Sequence, residues 1–131
     1  MPELQVNVVS AERALWSGTA KGIVAKTPEG EIGILSGHEP VLALLVEAPV
    51  RIELTDGNKM LVAVHGGFLA VDSDIVHIIA EVAELAENID LARAQEALAR
   101  AQANADDDDR AGALRRAETR IQVAGIAKGI G

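Results

Sequence analysis

Arginine dominates the positive charge of the last third of the sequence. Six of the seven basic residues within residues 89–131 are arginines. Arg93 and Arg100 are one heptad apart, and Arg116 and Arg120 are four apart, so each pair shares one face of a helix. Arginine offers a planar fork of donors that binds carboxylates and other anions bidentately. The chemistry this pattern predicts is a switchable charge contact with an acidic partner, made by the arginines of the second helix: Arg110, Arg115, Arg116 and Arg120. The alternative is a solvated helix face.

Two short helices must position these arginines. Apolar residues recur at spacings of three and four, which is the period of a helix. The first set is Leu91, Ala94, Leu98 and Ala101, and the second is Leu114, Ala117, Ile121 and Ala124. Asn88 or Asp90 can cap the first helix. A polar turn at 104–109 separates the helices, which predicts an antiparallel hairpin. Its alanine-rich seam buries little area, so we expect a loosely fixed, movable element.

The residues before the helices predict β-structure. Residues 4–9, LQVNVV, alternate apolar and polar side chains, and Asp56-Gly57 is a hairpin signal. Ala14–Trp16 and Ala20–Lys26 read as separate strands with a break at Ser17-Gly18. The chain shows roughly eight to ten short strands with turn signals about every 8–12 residues. This spacing is typical of a sandwich or barrel.

Residues 30–40, GEIGILSGHEP, combine a short apolar strand with a sharp turn. Glycine tolerates positive φ, and proline fixes φ and removes a donor, so the turn has a defined shape. Its tip carries Ser36, His38 and Glu39. A rigid tip of this kind can serve as a docking surface. The alternative is an ordinary turn in a β-domain with no partner.

Composition excludes several classes of function. The chain has 131 residues, no cysteine and a net charge of −8, and residues 1–88 hold 13 acidic and 5 basic residues. Phe68 and Trp16 are its two aromatic residues, so it lacks both the basic patch and the stacking platform of a nucleic-acid binder. Without cysteine, thiol nucleophiles and zinc–thiolate sites are excluded.

Catalytic and metal sites find no support in the sequence either. His38, His65 and His77 are scattered without metal spacing, and no serine lies in a nucleophile elbow. The acidic run at 106–109 lacks the glycine and terminal glutamate of a calcium loop. We therefore expect neither catalytic nor metal-binding residues. We also expect no secretory signal and no membrane span, because no apolar run reaches about 20 residues.

Five features stand in one order along the chain. They are the β-rich first part, GEIGILSGHEP at 30–40, VHGGFLAV at 64–71, AEVAE at 80–84, and a two-helix tail that opens with IDLARA at 89–94. In this the chain resembles the epsilon subunit of rotary ATP synthases over nearly its whole length. One departure is Ser36, where the family's usual form has proline.

The resemblance implies a fold and a role. The fold is a flattened ten-stranded β-sandwich at residues 1–87, which docks on the gamma shaft and the c-ring, followed by a regulatory two-helix hairpin at residues 88–131. The role is that of a non-catalytic rotor subunit of the central stalk of proton-translocating ATP synthase. The hairpin would rise along gamma and block ATP hydrolysis by reaching the beta subunits of the catalytic head. The location would be peripheral, on the cytoplasmic face of the bacterial plasma membrane, with only indirect membrane contact.

The resemblance also implies partner-binding residues. The turn from Glu31 to Leu42 would face the ring. Five residues are therefore candidate contacts to the ring or the shaft: Glu31, Ser36, His38, Glu39 and Leu42. Arg115, in the arginine cluster of the second helix, is a candidate contact to a protein partner.

Some bacterial members of the family bind ATP through a motif written I/L-D-x-x-R-A, which residues 89–94 match. By resemblance, Glu84 and Asp90 would hold the base, and the phosphates would meet four arginines: Arg93, Arg100, Arg116 and Arg120. ATP would then be a regulatory ligand, and no cofactor is required. Alternatively, Asp90 only caps the helix, and the first-helix arginines pair with Glu96.

Two rival functions remain open at this point. A free-standing ATP-sensing hairpin protein would bind ATP but not gamma. A small β-sandwich hydrolase would need a polar pocket that contains an acid with a perturbed pKa.

Overall fold

Nine β-strands and two α-helices follow one another along the chain in the computed structural model, which describes residues 3–104 and 109–127. The strands are β1 (Leu4–Ser10), β2 (Ala14–Thr27), β3 (Gly30–Leu35), β4 (Val41–Leu45), β5 (Ala48–Leu54), β6 (Lys59–Val64), β7 (Gly67–Asp72), β8 (Ile75–Ala80) and β9 (Ala83–Leu85). A 3-10 turn at Ala86–Asn88 leads into the helices, which are α1 (Leu91–Ala103) and α2 (Arg110–Ala127). Most of the polar turn expected between the helices, residues 105–108, lies outside the described residues.

The strands pair in the order β4-β7-β8-β1-β2-β5-β6-β9, with β3 added beside β2. Pairing is antiparallel except between β1 and β8, which is the parallel pair in the described part of the chain. The sheet closes around one aliphatic core, and the predicted sandwich is therefore confirmed. Leu4, Val6 and Val8 point into this core with no exposed surface, as the alternation of residues 4–9 predicted.

The predicted break at Ser17-Gly18 is wrong, because β2 runs without interruption for 14 residues. A Cβ atom at Gly18 would lie 2.5 Å from Cζ2 of Trp16, so the glycine makes room for the indole ring without ending the strand. The first half of β2 pairs with β1, and its second half pairs with β3 on the same edge. Two expected strands are thus one, and the described residues contain nine strands where the resemblance implied ten.

Gly67 lies at a close approach between the backbones of β7 and β8. Its φ is +145°, and a Cβ atom there would lie 2.2 Å from the carbonyl oxygen of Ile79 on the neighbouring strand β8. Only glycine fits this position without displacing β8. The close pairing of β7 with β8 holds the turn that follows β6 against the sheet, and that turn carries His65.

The helices form the predicted hairpin with an alanine seam. The buried residues of the seam are Ala94, Ala101, Ala117 and Ala124. Asp90 caps α1, since its carboxylate accepts a 3.1 Å hydrogen bond from the backbone N–H of Arg93. The hairpin docks on the sandwich through a second, smaller core between α2 and β6, formed by Leu61, Ala63, Ile89, Val123 and Ala124.

Candidate functional site

A cavity of about 370 Å³ lies where β9, the start of α1 and the middle of α2 meet. Five of the six residues predicted to hold a nucleotide line it: Glu84, Asp90, Arg93, Arg100 and Arg120. Asn88, Ile89, Ala94 and Ala97 complete the wall. We call this cavity the hairpin pocket. Glu84 comes from the sandwich side and Arg120 from α2, so the pocket is complete only while the hairpin is docked.

Arg93 and Arg100 face the hairpin pocket with their charge uncompensated. Both side chains are exposed, and no ion pair to either guanidinium occurs within residues 3–104 and 109–127. The expected pairing with Glu96 is therefore not seen. The N-terminus of α1 adds the positive end of a helix dipole at the same wall. Together these features favour an anion in the pocket.

Arg116, the sixth predicted residue, does not line the hairpin pocket. Its guanidinium donates a 2.6 Å hydrogen bond to Oδ2 of Asp109, the residue before α2. Gly112 makes this pair possible, because a Cβ atom there would lie 2.5 Å from Oδ1 of Asp109 and 3.1 Å from Nη1 of Arg116. In this conformation the structure therefore brings Arg120, but not Arg116, to the hairpin pocket.

Glu84 is the most tightly held carboxylate of the hairpin pocket. Its Oε1 accepts a 2.8 Å hydrogen bond from Nε2 of His65 and a 2.5 Å hydrogen bond from Nε of Arg120. These contacts lower the pKa of Glu84 to about 2, with the hydrogen bond to His65 as the largest cause, against the opposing effect of burial. Both bonds end on the same oxygen, and no residue within 3–104 and 109–127 donates a hydrogen bond to Oε2, so this oxygen could accept one from a ligand.

His65 was not among the predicted site residues; it does not line the hairpin pocket but contacts Glu84, which does. It follows β6, its side chain is 3% exposed, and its Nδ1 contacts Oε2 of Glu47. Through its two ring nitrogens, His65 thus links Glu47, between β4 and β5, to Glu84 on β9. No group of three or more potential ligands in the described residues is arranged to hold a metal ion.

Asp74, in the turn between β7 and β8, holds the predicted docking loop in place through two hydrogen bonds. Ser36 donates a 2.8 Å hydrogen bond to Oδ2 of Asp74, and the N–H of Gly37 donates a 2.7 Å hydrogen bond to Oδ1. The backbone hydrogen bond from Gly37, then that from Ser36, lowers the pKa of Asp74. His38 contacts the carbonyl of Glu39 through Nδ1 at 2.7 Å. The structure thus brings the loop residues together at one exposed tip.

Glu31 and Arg115 lie apart from that tip. Both line a second cavity, of about 360 Å³, between the sandwich and α2. Glu31 also forms an exposed 3.5 Å ion pair with Arg51. Glu47 lines this second cavity as well, so His65 connects its wall to that of the hairpin pocket.

Strands β4, β7 and β8 present a row of exposed apolar side chains on the outside of the sandwich. Leu44 pairs in register with Phe68, which pairs with Ile79 on the next strand. Their relative exposures are 52%, 47% and 48%, and Leu42, also on β4, is 70% exposed. Neighbouring apolar side chains exposed in this way are typical of a surface that another protein covers. We call these four residues the outer apolar row.

The sequence matches a known domain family and several known proteins. The model for the β-sandwich domain of the ATP synthase delta/epsilon chain matches residues 3–86. The ATP synthase epsilon chain of Streptomyces griseus is 43% identical over 124 residues, which cover 95% of this chain and 97% of that one. The chain belongs to the epsilon chains of ATP synthase. The epsilon chain of Rhodococcus jostii is 53% identical over 100 residues, covering 76% and 82% of the two chains.

Solved structures agree with the fold of an epsilon chain. A chain in the mitochondrial ATP synthase of Euglena gracilis, a structure of OSCP, F1 and c-ring, superposes with a TM-score of 0.74 at 24% identity. The match covers 100% of this chain and 83% of that one. A chain of the central stalk and c-ring of the Tetrahymena thermophila enzyme superposes with a TM-score of 0.55 at 14% identity, covering 98% and 96%.

Membership of this family makes the chain a non-catalytic stalk subunit of ATP synthase, as the resemblance implied. It rules against the small β-sandwich hydrolase. Within the described residues, neither helix of this epsilon chain has the length and apolar character needed to cross a membrane.

Proposed function

We propose that this epsilon chain couples the gamma shaft to the c-ring within the central stalk, and that its hairpin regulates ATP hydrolysis under the control of bound ATP. The observation that carries the regulatory part is the hairpin pocket, where five residues from β9, α1 and α2 meet in one cavity. The pocket volume of about 370 Å³ falls within the usual range for small-molecule sites.

The charges of the pocket suit a nucleotide. Arg93 and Arg100 make no ion pair within the described residues, so a polyphosphate would find two unengaged bidentate donors there. Arg120 is shared with Glu84 and can turn part of its fork toward a phosphate. Phosphate binding would thus relieve the repulsion among three neighbouring guanidinium groups.

The acidic wall of the pocket suits the base. Oε2 of Glu84 and Oδ2 of Asp90 accept no hydrogen bond from the described residues, while Oε1 and Oδ1 are engaged. A carboxylate oxygen is a strong acceptor for the exocyclic amine of adenine. Guanine presents a carbonyl where adenine presents this amine, so we expect the pocket to favour ATP over GTP.

Regulation follows from how the pocket is assembled. Its walls belong to β9 and to both helices, so they come together only when the hairpin lies against the sandwich. A ligand shifts an equilibrium by its difference in affinity for the two states. Bound ATP would therefore stabilise the docked hairpin, and ATP depletion would release it to rise along gamma and reach the beta subunits. The predicted partner contact Arg115 is exposed on α2 and would take part in that contact.

The nucleotide proposal is tested by calorimetric titration of ATP into the full chain, with Arg93→Ala and the control Arg13→Ala. Arg13 is exposed on the β1–β2 connection, outside the hairpin pocket. We expect binding heat in wild type and Arg13→Ala and its loss in Arg93→Ala. Absence of heat with millimolar ATP in wild type would overturn ATP control and leave the rotor role in place.

The outer apolar row supports the coupling part of the proposal. It offers a gamma shaft four apolar side chains on adjacent strands, beside the loop tip with Ser36, His38 and Glu39. We assign the row to gamma and the loop tip to the c-ring, and Glu31, which lies apart from the tip, remains a candidate contact to either partner. Such contacts would place the subunit at the cytoplasmic face of the bacterial plasma membrane, through its partners only.

Capture of purified gamma by the immobilised chain tests this assignment. The double variant Leu42→Asp/Leu44→Asp charges the row, whereas Leu35→Asp charges an equally exposed leucine on β3. We expect gamma capture to be lost in the double variant and retained in Leu35→Asp. Failure of the wild-type chain to bind gamma would instead favour the free-standing ATP sensor.

A further inference from the structure

Arg116 lies beside the hairpin pocket, but its charged end is directed elsewhere. Residues four apart on a helix share a face, so Arg116 sits one turn from Arg120, which lines the pocket. The guanidinium of Arg116 instead donates a 2.6 Å hydrogen bond to Oδ2 of Asp109, seven residues earlier in the chain. The side chain therefore extends toward the N-terminus of α2, in the direction opposite to Arg120.

The hairpin pocket extends to the level of Arg116. Arg110, at the start of α2, donates a 3.1 Å hydrogen bond to the carbonyl of Ala101, so the first part of α2 lies beside the last part of the antiparallel helix α1. Arg120 lines the pocket from the later half of α2, and Arg100 lines it from the later half of α1. Arg116 lies between these two levels, so its long side chain is within reach of the pocket once it leaves Asp109.

Gly112 gives the pair between Asp109 and Arg116 its room. A Cβ atom at Gly112 would lie 2.5 Å from Oδ1 of Asp109 and 3.1 Å from Nη1 of Arg116. Both partners thus pass close over the backbone of the first turns of α2, where alanine would be the better helix former. This close packing fixes the direction of the Arg116 side chain in the docked hairpin.

The strength of the pair limits what its removal can gain. The side chains of Arg116 and Asp109 are 38% and 65% exposed. An ion pair exposed in this way changes an equilibrium by at most about fivefold. A contact between Arg116 and a phosphate that was stronger than the pair would draw the arginine off Asp109 in the wild type. The same fivefold is therefore the upper limit of the ATP affinity that the pair removes.

We propose that Asp109 keeps Arg116 away from bound ATP and thereby limits the affinity of the hairpin pocket. This inference rests on the proposed nucleotide function. With Arg116 held by Asp109, the phosphates meet three arginines: Arg93, Arg100 and Arg120. A weaker site releases its ligand at a higher ligand concentration, so Asp109 raises the ATP concentration at which the hairpin loses its ligand and leaves the sandwich.

Calorimetric titration of ATP into the full chain tests this with four proteins: wild type, Asp109→Asn, Arg116→Ala and the double variant. The backbone carbonyl of Asp109 accepts the first hydrogen bond of α2, from Ala113 at 2.8 Å, and asparagine serves as well as aspartate at such a position. We expect Asp109→Asn to tighten ATP binding about two- to fivefold, because Arg116 can then turn to a phosphate. This gain should disappear in the double variant.

The double variant and one control separate release of Arg116 from a general effect of charge. Removal of a negative charge near an anion site strengthens binding by long-range attraction, whether or not Arg116 is present. Glu118→Gln makes the same change of charge on α2, at an exposed residue that lines the second cavity and not the hairpin pocket. Its effect measures the general contribution, which Asp109→Asn should clearly exceed.

Three results would overturn the inference while wild type still binds ATP. They are unchanged affinity in Asp109→Asn, a gain no larger than that in Glu118→Gln, and a gain that persists when Arg116→Ala is added. The proposed nucleotide function would survive each of them. Absence of ATP binding in all of these proteins would overturn the nucleotide function, and this inference with it.

Discussion

The hydroxyl of Ser36 donates a 2.8 Å hydrogen bond to Oδ2 of Asp74, a residue 38 positions later in the chain. The N–H of Gly37 donates to the other carboxylate oxygen at 2.7 Å. Asp74 itself has a φ of 63°, in the left-handed region, at the turn between β7 and β8. A carboxylate held in a tight turn thus fixes the loop proposed to face the c-ring.

Removal of this carboxylate should loosen the loop tip. In Asp74→Ala we expect faster hydrogen exchange at the amide of Gly37, because its acceptor is gone. The neighbouring Asp72→Ala should leave that amide unchanged. In wild type the pKa of Asp74 is lowered, so its support is present above the ordinary value of 3.8 and is lost as pH falls through the lowered value. Gly37 protection that is identical in Asp74→Ala and wild type would contradict this role.

Glu84 should make stability depend on acid pH. Its pKa is lowered to about 2 from 4.5, so the ionised carboxylate stabilises the fold above pH 4.5, and this contribution is lost as pH falls toward 2. We expect the free energy of unfolding of wild type to exceed that of Glu84→Gln at pH 6, with the gap closing below pH 4.5. Denaturant unfolding at several pH values measures the gap. Glu81→Gln, at an exposed glutamate nearby, should show none.

Gly67→Ala should destabilise the sandwich. The new methyl group would lie 2.2 Å from the carbonyl oxygen of Ile79 at a φ of +145°, so either β8 moves or the strand pairing breaks. We expect a loss of at least about 2 kcal/mol in the free energy of unfolding. Gly33→Ala is the matched control, since no atom lies within 4 Å of its added Cβ atom. If Gly67→Ala lowers the free energy of unfolding no more than this control does, β8 can move aside at little cost.

The two arginines of α2 should differ in their effect on ATP. Arg120 lines the hairpin pocket, whereas Arg116 is paired with Asp109 at 2.6 Å and does not. We expect Arg120→Ala to weaken ATP binding by about tenfold or more, in keeping with the loss of a charge-assisted contact of about 1.5–3 kcal/mol. Arg116→Ala should weaken it clearly less. Calorimetry on both variants decides the point, and equal losses would mean that Arg116 leaves Asp109 when ATP binds.

Local sequence patterns predicted much of the fold, whereas the residues proposed for the pocket came from the family resemblance. Alternation placed Leu4, Val6 and Val8 in the core, and helical spacing placed Ala94 and Ala101 in the seam. The same spacing brought Arg93 and Arg100 to one cavity with Asp90. These features are set by the repeat of a single strand or helix, which a sequence displays directly.

The contacts that the sequence did not predict join distant positions. His65 meets Glu47 and Glu84 at separations of 18 and 19 residues, and Ser36 meets Asp74 across 38. Such pairs depend on strand order, and no local period encodes that order. The departure of Arg116 from the pocket depends on Asp109, an acidic residue at the start of α2 that read only as part of a polar turn.

The parallel pairing of β1 with β8 bears on how the chain is made. Gln5 to Ser10 lie in register with Ile75 to Ala80, so the first strand lacks one neighbour until about 80 residues have been synthesised. Contacts across such a separation close slowly, because a long loop must be ordered before the pairing stabilises it. On the ribosome, the sheet therefore cannot be completed until β8 has been synthesised, and the aliphatic strands remain exposed to chaperones until then. The hairpin is synthesised after the sandwich and meets a surface that has only just formed.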